Sequence, residues 1–189
     1  MKIIQICGTN GVGKTTLVKG LLTSGNFTKL NIEVDGISRE WWYDGNTAVI
    51  GKYNDRNCCG VDAGNYSVDG LIDTIKAVIC QNKPDCVLFE DVRMGTSYAF
   101  KDKLLRTADI VGYEFNVLAL IASLECSCNR VMERTGNPGA NYDAMRGKAR
   151  AVINTTKRIG EQGAKVFFID TEKNSKTAVL NALRRLTNG

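Results

Sequence analysis

Apolar positions along this chain fall into two kinds of pattern that take turns. Residues 2–7, Lys2-Ile3-Ile4-Gln5-Ile6-Cys7, form a short run of buried-strand length, and Leu17, Val18, Leu21 and Leu22 then recur at helical spacing. Residues 30–35 predict a second strand that ends in the carboxylate of Asp35. Between Trp41 and Tyr53, aromatic and β-branched residues flank Asp44-Gly45, a type I′ turn signal, and predict a β-hairpin. Val68, Leu71, Ile72, Ile75, Val78 and Ile79 mark one face of a helix that Ser67 can cap and Asn82-Lys83-Pro84 stops. Cys86-Val87-Leu88-Phe89 predicts a buried strand running into Glu90-Asp91. A strand at 117–121, a helix over about 124–134 and a long helix over about 143–161 follow. A strand at 166–169 and a closing helix over 177–186 end the series. Five strands alternating with helices imply a parallel sheet covered on both faces, the α/β three-layer arrangement. Ligands of such sheets bind beyond the carboxyl ends of the strands, where Asp35, Glu90, Ser123 and Asp170 are expected.

The turn after the first strand supplies the chemistry. Gly8-Thr9-Asn10-Gly11-Val12-Gly13-Lys14-Thr15 satisfies G-x-x-x-x-G-K-[ST] between a strand and a helix, the context that this phosphate-binding loop requires. Its glycines let successive backbone N–H groups turn toward a phosphate, which the positive end of the following helix also attracts. Thr9, Asn10, Gly11, Val12, Gly13, Lys14, Thr15 and Thr16 are therefore the expected nucleotide-binding residues. Lys14 is suited to the β and γ phosphates and the Thr15 hydroxyl to Mg2+. A nucleoside triphosphate with Mg2+ is the expected cofactor pair. No pattern in the chain reads adenine in preference to guanine. Asn82-Lys83-Pro84-Asp85 matches the guanine-reading N-K-x-D pattern, but it ends a helix and precedes a strand, and no D-x-x-G follows Asp91, so it is assigned to a turn.

Size and charge narrow the picture further. The 189 residues, 43% hydrophobic, suit one α/β domain over residues 1–189, with an insertion at about 36–66 and a lid at about 134–146. Two prolines and no low-complexity tract leave no linker. The chain enters its first strand at once, which predicts no secretory leader, and no apolar run approaches the ~20 residues of a membrane span. Seven cysteines without a framework spacing, three of them (Cys7, Cys80, Cys86) in apolar elements, suit core positions in a reducing cytoplasm, and the lack of histidine argues against zinc. Net charge is +5, but residues 126–189 hold 12 basic and 5 acidic residues while 1–125 hold 13 and 15. Such an excess suits a polyanionic ligand as well as a solvated face.

Arg130 and Arg134 lie four residues apart on the helix after the 117–121 strand, the spacing that puts two guanidinium groups on one face to stabilise phosphoryl charge. In this element order the chain resembles the nucleoside monophosphate kinase group of P-loop kinases, and the resemblance implies that Arg130 and Arg134 approach the triphosphate. Asn137-Pro138-Gly139 and Arg146 would belong to a short lid. Ile50-Gly51-Lys52-Tyr53 and Cys58-Cys59-Gly60-Val61-Asp62 are similar to the G-[KR]-Y…C-G-G-x-D signature of bacteriophage P-loop kinases, and the 86–98 segment resembles that family's strand, acid and polar loop. Cys59 and Val61 depart from the signature, as does Asp91 after the acid. This resemblance implies transfer of the γ-phosphoryl group of ATP to the hydroxymethyl group of 5-hydroxymethyluracil in DNA, a step in thymidine hypermodification in the host cytoplasm. The alternative is a nucleoside or nucleoside monophosphate kinase of the same fold, and a third class is a nucleotide sensor without turnover.

A hydroxyl acceptor needs a carboxylate to take its proton. Asp35 is the first candidate, Glu90 is expected to organise Mg2+ with Thr15, and the two roles are exchangeable; Asp62 is expected to hydrogen-bond the acceptor. Trp41, Trp42, Tyr43, Tyr53 and Tyr66, interleaved with Arg39, Lys52 and Arg56, offer stacking surface and charge for an extruded base, or a minicore under the insertion. Arg39, Trp42, Lys52, Tyr53, Asp62 and Arg93 are the substrate-side candidates. Lys14, Asp35, Glu90, Arg130 and Arg134 are the catalytic ones.

Overall fold

A computed structural model describes residues 1–53, 60–64, 66–136 and 142–188. In chain order the elements are β1 (Lys2–Cys7), α1 (Lys14–Ser24), β2 (Thr28–Val34), β3 (Ile37–Tyr43), β4 (Thr47–Ile50), the short α2 (Gly60–Ala63), α3 (Val68–Asn82) and β5 (Cys86–Glu90). A 3-10 turn (Met94–Thr96), α4 (Tyr98–Val111), β6 (Glu114–Ile121), α5 (Leu124–Thr135), α6 (Tyr142–Glu161), β7 (Lys165–Asp170) and α7 (Lys176–Asn188) complete it. Asn54 to Cys59 and Asn137 to Asn141 lie outside the described residues, and with them the expectations for Arg56, Cys58, Cys59 and Asn137-Pro138-Gly139.

The strands form one sheet in the order β2-β3-β4-β5-β1-β6-β7. Five of them, β4, β5, β1, β6 and β7, are parallel, as the alternation of patterns requires. β3 runs antiparallel to β4, and β2 to β3. Helices cover both faces. Leu71, Ile75, Phe100, Leu104, Val152 and Ile159 bring α3, α4 and α6 onto one side. Leu17, Val18, Leu21, Val179 and Leu183 bring α1 and α7 onto the other.

Two assignments change. The strand predicted at 30–35 is β2, at the sheet edge four positions from β1, rather than a strand of the parallel set. The second strand of that set is β4, which lies between β3 and β5, so the stretch expected as an insertion builds the sheet itself. The reason lies in Asp35-Gly36, whose φ values of 51° and 71° form the primed turn that matches strand twist and folds β2 back on β3. At Asp44-Gly45, where the primed turn was predicted, only the glycine is left-handed, and Asp44 Oδ1 instead accepts from the Asn46 and Thr47 N–H groups.

Helix α4 has no counterpart among the sequence expectations. Its apolar face, Phe100, Leu104 and Ala108, recurs every four residues, but Lys101 and Thr107 are buried beside it and blur the pattern. Ser97 caps it, its Oγ accepting from the Phe100 N–H at 3.2 Å. Cys7 and Cys86 are core residues as expected, whereas Cys80 is exposed on the outer face of α3. Asn82–Asp85 closes α3 through a left-handed Lys83 at the amino end of β5, opposite the ligand rim. No helix among the described residues is long and apolar enough to cross a membrane.

Trp41 is fully buried at the start of the β3–β4 pairing, its ring 5.6 Å from that of Tyr43. Trp41→Ala is expected to lower unfolding free energy by about 3–5 kcal/mol, read from urea denaturation.

Candidate functional site

β1 delivers the chain into residues 8–13, and α1 begins at Lys14. Gly13 takes φ 92° at the helix amino end, a left-handed conformation that disfavours side chains, and a Cβ there would point into open space. Gly11 is fixed by proximity: a Cβ would stand 2.2 Å from the carbonyl oxygen of Ser127, so the loop lies directly on α5. Lys14 is 6% exposed and its Nζ donates to the carbonyl oxygens of Gly8 and Thr9, both at 3.0 Å. Burial draws its pKa down, opposed by the negative charges of Glu90 and Asp91.

A cavity of about 1070 Å3 opens above this loop at the carboxyl ends of the parallel strands. Residues 10–16 form its floor. One end is lined by Thr171, Asn174, Thr177 and Leu180, the other by Asp62, Glu90, Asp91, Arg93 and Thr96. Arg130, Arg134 and Lys148 stand along its wall. Thr15 Oγ1 donates to Glu90 Oε1 at 2.8 Å, joining the helix after β1 to the end of β5. Glu90 is 2% exposed and its Oε2 is buried without a partner. Desolvation lifts its pKa to about 7 against the pull of Lys14 and the Thr15 hydrogen bond.

The acceptor-side candidate Asp62 follows a backbone bridge between Lys52 and Gly60. Lys52 and Gly60 exchange two backbone hydrogen bonds of 3.1 and 2.8 Å, and Gly60 packs so closely on Glu90 that a Cβ would lie 2.6 Å from its Cγ. Asp62 Oδ2 accepts from the Val92 N–H at 2.7 Å, while Oδ1 is buried without a partner. Arg130 is pinned above the loop, donating to Gly11 O at 3.3 Å and to Thr171 Oγ1 and O at 3.1 Å each.

Other candidates stand elsewhere. Asp35 is exposed at the tip of the β2–β3 turn, four strand spacings from β1, roughly 19 Å across the sheet. It is not part of the cavity wall. Arg39 is 8% exposed, lies over the Tyr66 ring at 4.3 Å and donates to the Gly64 carbonyl, tying β3 to the residues before α3. Trp41, Tyr53 and Tyr66 are core residues, and Trp42 packs half-buried against the α1 side. Lys52 is exposed outside the cavity lining. These aromatics therefore belong to the two cores that flank the sheet, rather than to a separate minicore under an insertion. Sequence reasoning missed Asp91, Lys148, Thr171 and Asn174. Asp91 sits at the end of β5 and carried its own signal, a second acid directly after the first; the others share no motif.

The residues fit a nucleoside triphosphate with Mg2+. The loop amides, the Lys14 ammonium and two guanidinium groups converge on one cavity, and Thr15 with Glu90 supplies the hydroxyl and carboxylate that Mg2+ takes from protein when phosphate oxygens and water complete its shell. Among the described residues no three His, Cys, Asp or Glu side chains are gathered as an all-protein metal cage.

No family model matches the chain, and no curated protein matches its sequence. Solved structures match its fold. The YorR protein of Bacillus subtilis, crystallised in complex with phosphorylated GDP, matches with a TM-score of 0.60 at 13% identity, over 98% of this chain and 95% of that one. A sugar kinase from Janibacter sp. matches at 0.57 and 13% identity, over 98% and 94%. Deoxyadenosine kinase from M. mycoides, with products dCMP and dCDP, matches at 0.52 and 14% identity, over 97% and 98%. The chain thus has a fold shared with kinases.

Glu90 makes stability depend on pH in a direction opposite to most carboxylates. Its folded-state pKa of about 7 lies above the ordinary 4.5, so between these values the folded protein keeps a proton that the unfolded chain releases, and stability falls as pH rises. In the nucleotide-free protein, Glu90→Gln is expected to be the more stable form at pH 8 by on the order of 3 kcal/mol, with the two converging near pH 4, measured by denaturant titration.

Proposed function

We propose that this chain is an ATP-dependent phosphotransferase that moves a γ-phosphoryl group onto a primary hydroxyl, and that the acceptor is the hydroxymethyl group of 5-hydroxymethyluracil in DNA. The observation that carries the transferase reading is the meeting of Lys14, Thr15, Glu90 and Asp62 in one cavity, with Glu90 Oε2 and Asp62 Oδ1 buried and unpartnered. An oxygen that has lost its water and gained no protein partner is stabilised by a ligand.

The roles follow from position. Backbone amides of residues 10–15 and the Lys14 ammonium hold the phosphates. Arg130 and Arg134 offset the charge that spreads over the moving group's oxygens, Arg130 already fixed by Thr171 and Gly11 so that little ordering remains to be done. Mg2+ bound at Thr15 and Glu90 would neutralise phosphate charge and orient its oxygens. Asp62, held by the Val92 N–H, orients the acceptor hydroxyl through Oδ1 and takes its proton late in transfer. With Asp35 at the sheet edge, Asp62 is the one left for the base among the three acids named from the sequence when Glu90 serves the metal; Asp91, whose Oδ1 is also unpartnered, is engaged by Gln5 through Oδ2.

The finer acceptor reading is supported by the placement of the two signature halves. Gly51-Lys52-Tyr53 and Gly60-Val61-Asp62 are joined by the Lys52–Gly60 bridge and lead to Asp62 at the acceptor end. The aromatics of β3 do not add to it, since Trp41 fills the core and the half-buried Trp42 and Tyr43 lie outside the cavity lining. That burial favours a second reading, a nucleoside or nucleoside monophosphate acceptor enclosed in the cavity, the class to which deoxyadenosine kinase belongs.

Incubation with γ-labelled ATP and Mg2+ separates the two. Label is expected to stay with hydroxymethyluracil-containing DNA and not with ordinary DNA; label in free nucleotide with none in polymer would establish the second reading. Lys14→Met and Asp62→Asn are expected to lower kcat by at least about 100-fold, whereas Asp35→Ala leaves it within about 2-fold, measured as initial rates. ATP binding without label in any acceptor would overturn transfer itself.

A further inference from the structure

Lys101 is fully buried, one of the largest side chains without solvent contact, and it lies outside the cavity lining. An ammonium taken out of water is costly unless its charge is answered nearby. Its Nζ donates to Gln5 Oε1 at 3.1 Å and lies 3.5 Å from Cys7 Sγ. Gln5 Nε2 in turn donates to Asp91 Oδ2 at 2.8 Å. A glutamine amide could take either orientation, but an ammonium at one end and a carboxylate at the other fix it. The buried cation of α4 and the buried anion after β5 are thus joined through one side chain of β1.

Three consecutive residues are tied in three directions here. The Glu90 side chain accepts from Thr15, Asp91 reaches back to Gln5, and the Val92 N–H donates to Asp62. Asp91 Oδ1 also fits against Gly95 so closely that a Cβ there would lie 2.6 Å from it, which seats the 3-10 turn carrying Thr96 beside the acceptor end. We propose that Lys101 is a positioning residue for phosphoryl transfer: acting through Gln5, it holds Asp91 as the anchor that sets Glu90, the Val92 N–H and the 93–96 turn at the acceptor end of the cavity. The relay rests on the phosphotransferase reading for its effect on rate, but not for its effect on folding.

Lys101→Met, Asp91→Asn and the double variant test it on the full chain. Lys101→Met is expected to lower kcat at least 10-fold while affinity for a fluorescent ATP analogue stays within about 3-fold, because the hydrogen bonds of Lys101 go to Gln5 and Cys7 of β1 and it lies outside the cavity lining. The double variant is expected to lose no more than the worse single variant within about 2-fold in kcat, and its urea midpoint to lie at or above that of Lys101→Met, since each charge is buried to answer the other. Wild-type kcat and acceptor KM in Lys101→Met, or losses that multiply in the double variant, overturn the proposal while leaving phosphoryl transfer intact. If Lys101→Met does not fold, a folded double variant upholds the coupling; failure of both to fold assigns Lys101 to stability alone and overturns its positioning role. A wild-type protein without transfer to any acceptor sinks the kinase reading itself, and the urea midpoints still report whether the relay exists.

Discussion

A lysine ammonium held almost out of solvent at the rim of the parallel sheet sets the terms for everything around it. Lys14 is satisfied for the moment by two carbonyl oxygens of its own loop, and its charge is answered by Glu90 and Asp91. Those acids are themselves pushed toward neutrality by burial, Glu90 to about 7 and Asp91 to about 6. Neither sign would be tolerated there alone. The site is a set of opposite charges that the fold forces into proximity, and a bound triphosphate with its cation would add more of both signs to it.

Strand order makes that proximity possible. β1 lies between β5 and β6, so the turn after β1 faces the end of β5 on one side and the start of α5 on the other. Glu90 and Asp91 come from the first neighbour and Arg130 from the helix that follows the second. The outer hairpin of β2 and β3 is remote from these groups. It widens the sheet and buries Trp41, and its contribution is to packing.

The parts of the molecule legible in the sequence are those where one local rule acts alone. The loop of residues 8–15 is written as a motif because each position has a separate steric or charge requirement. Four of the parallel strands, β1, β5, β6 and β7, are legible from their continuous apolar runs, whereas β4 reads only as one arm of a hairpin. The hairpin around Asp44-Gly45 is present as the β3–β4 pair, but the β2–β3 pair goes unread, although Asp35-Gly36 carries the same turn signal and is the one of the two that adopts the primed geometry. A hairpin there removes Asp35 from the site, and the Asp35-Gly36 pair itself is the local sign of it. α4 was hidden for a different reason. Lys101 occupies an inward-facing position on the strength of partners 94 and 96 residues away, Cys7 and Gln5, and a periodicity argument counts it as surface. Arg39, Trp42 and Tyr53 illustrate the converse, since aromatic and basic residues in alternation suit a binding face and a minicore equally well.

The near-contact between Gly11 and Ser127 has a mechanical result. With no room for even a methyl group between them, and with Arg130 bonded to Gly11 from the same helix, the phosphate loop and the first two turns of α5 behave as one rigid body. The helix itself ends at the left-handed Gly136. A phosphate seated on the loop therefore meets Arg130 at a spacing that the packing of α5 has already set.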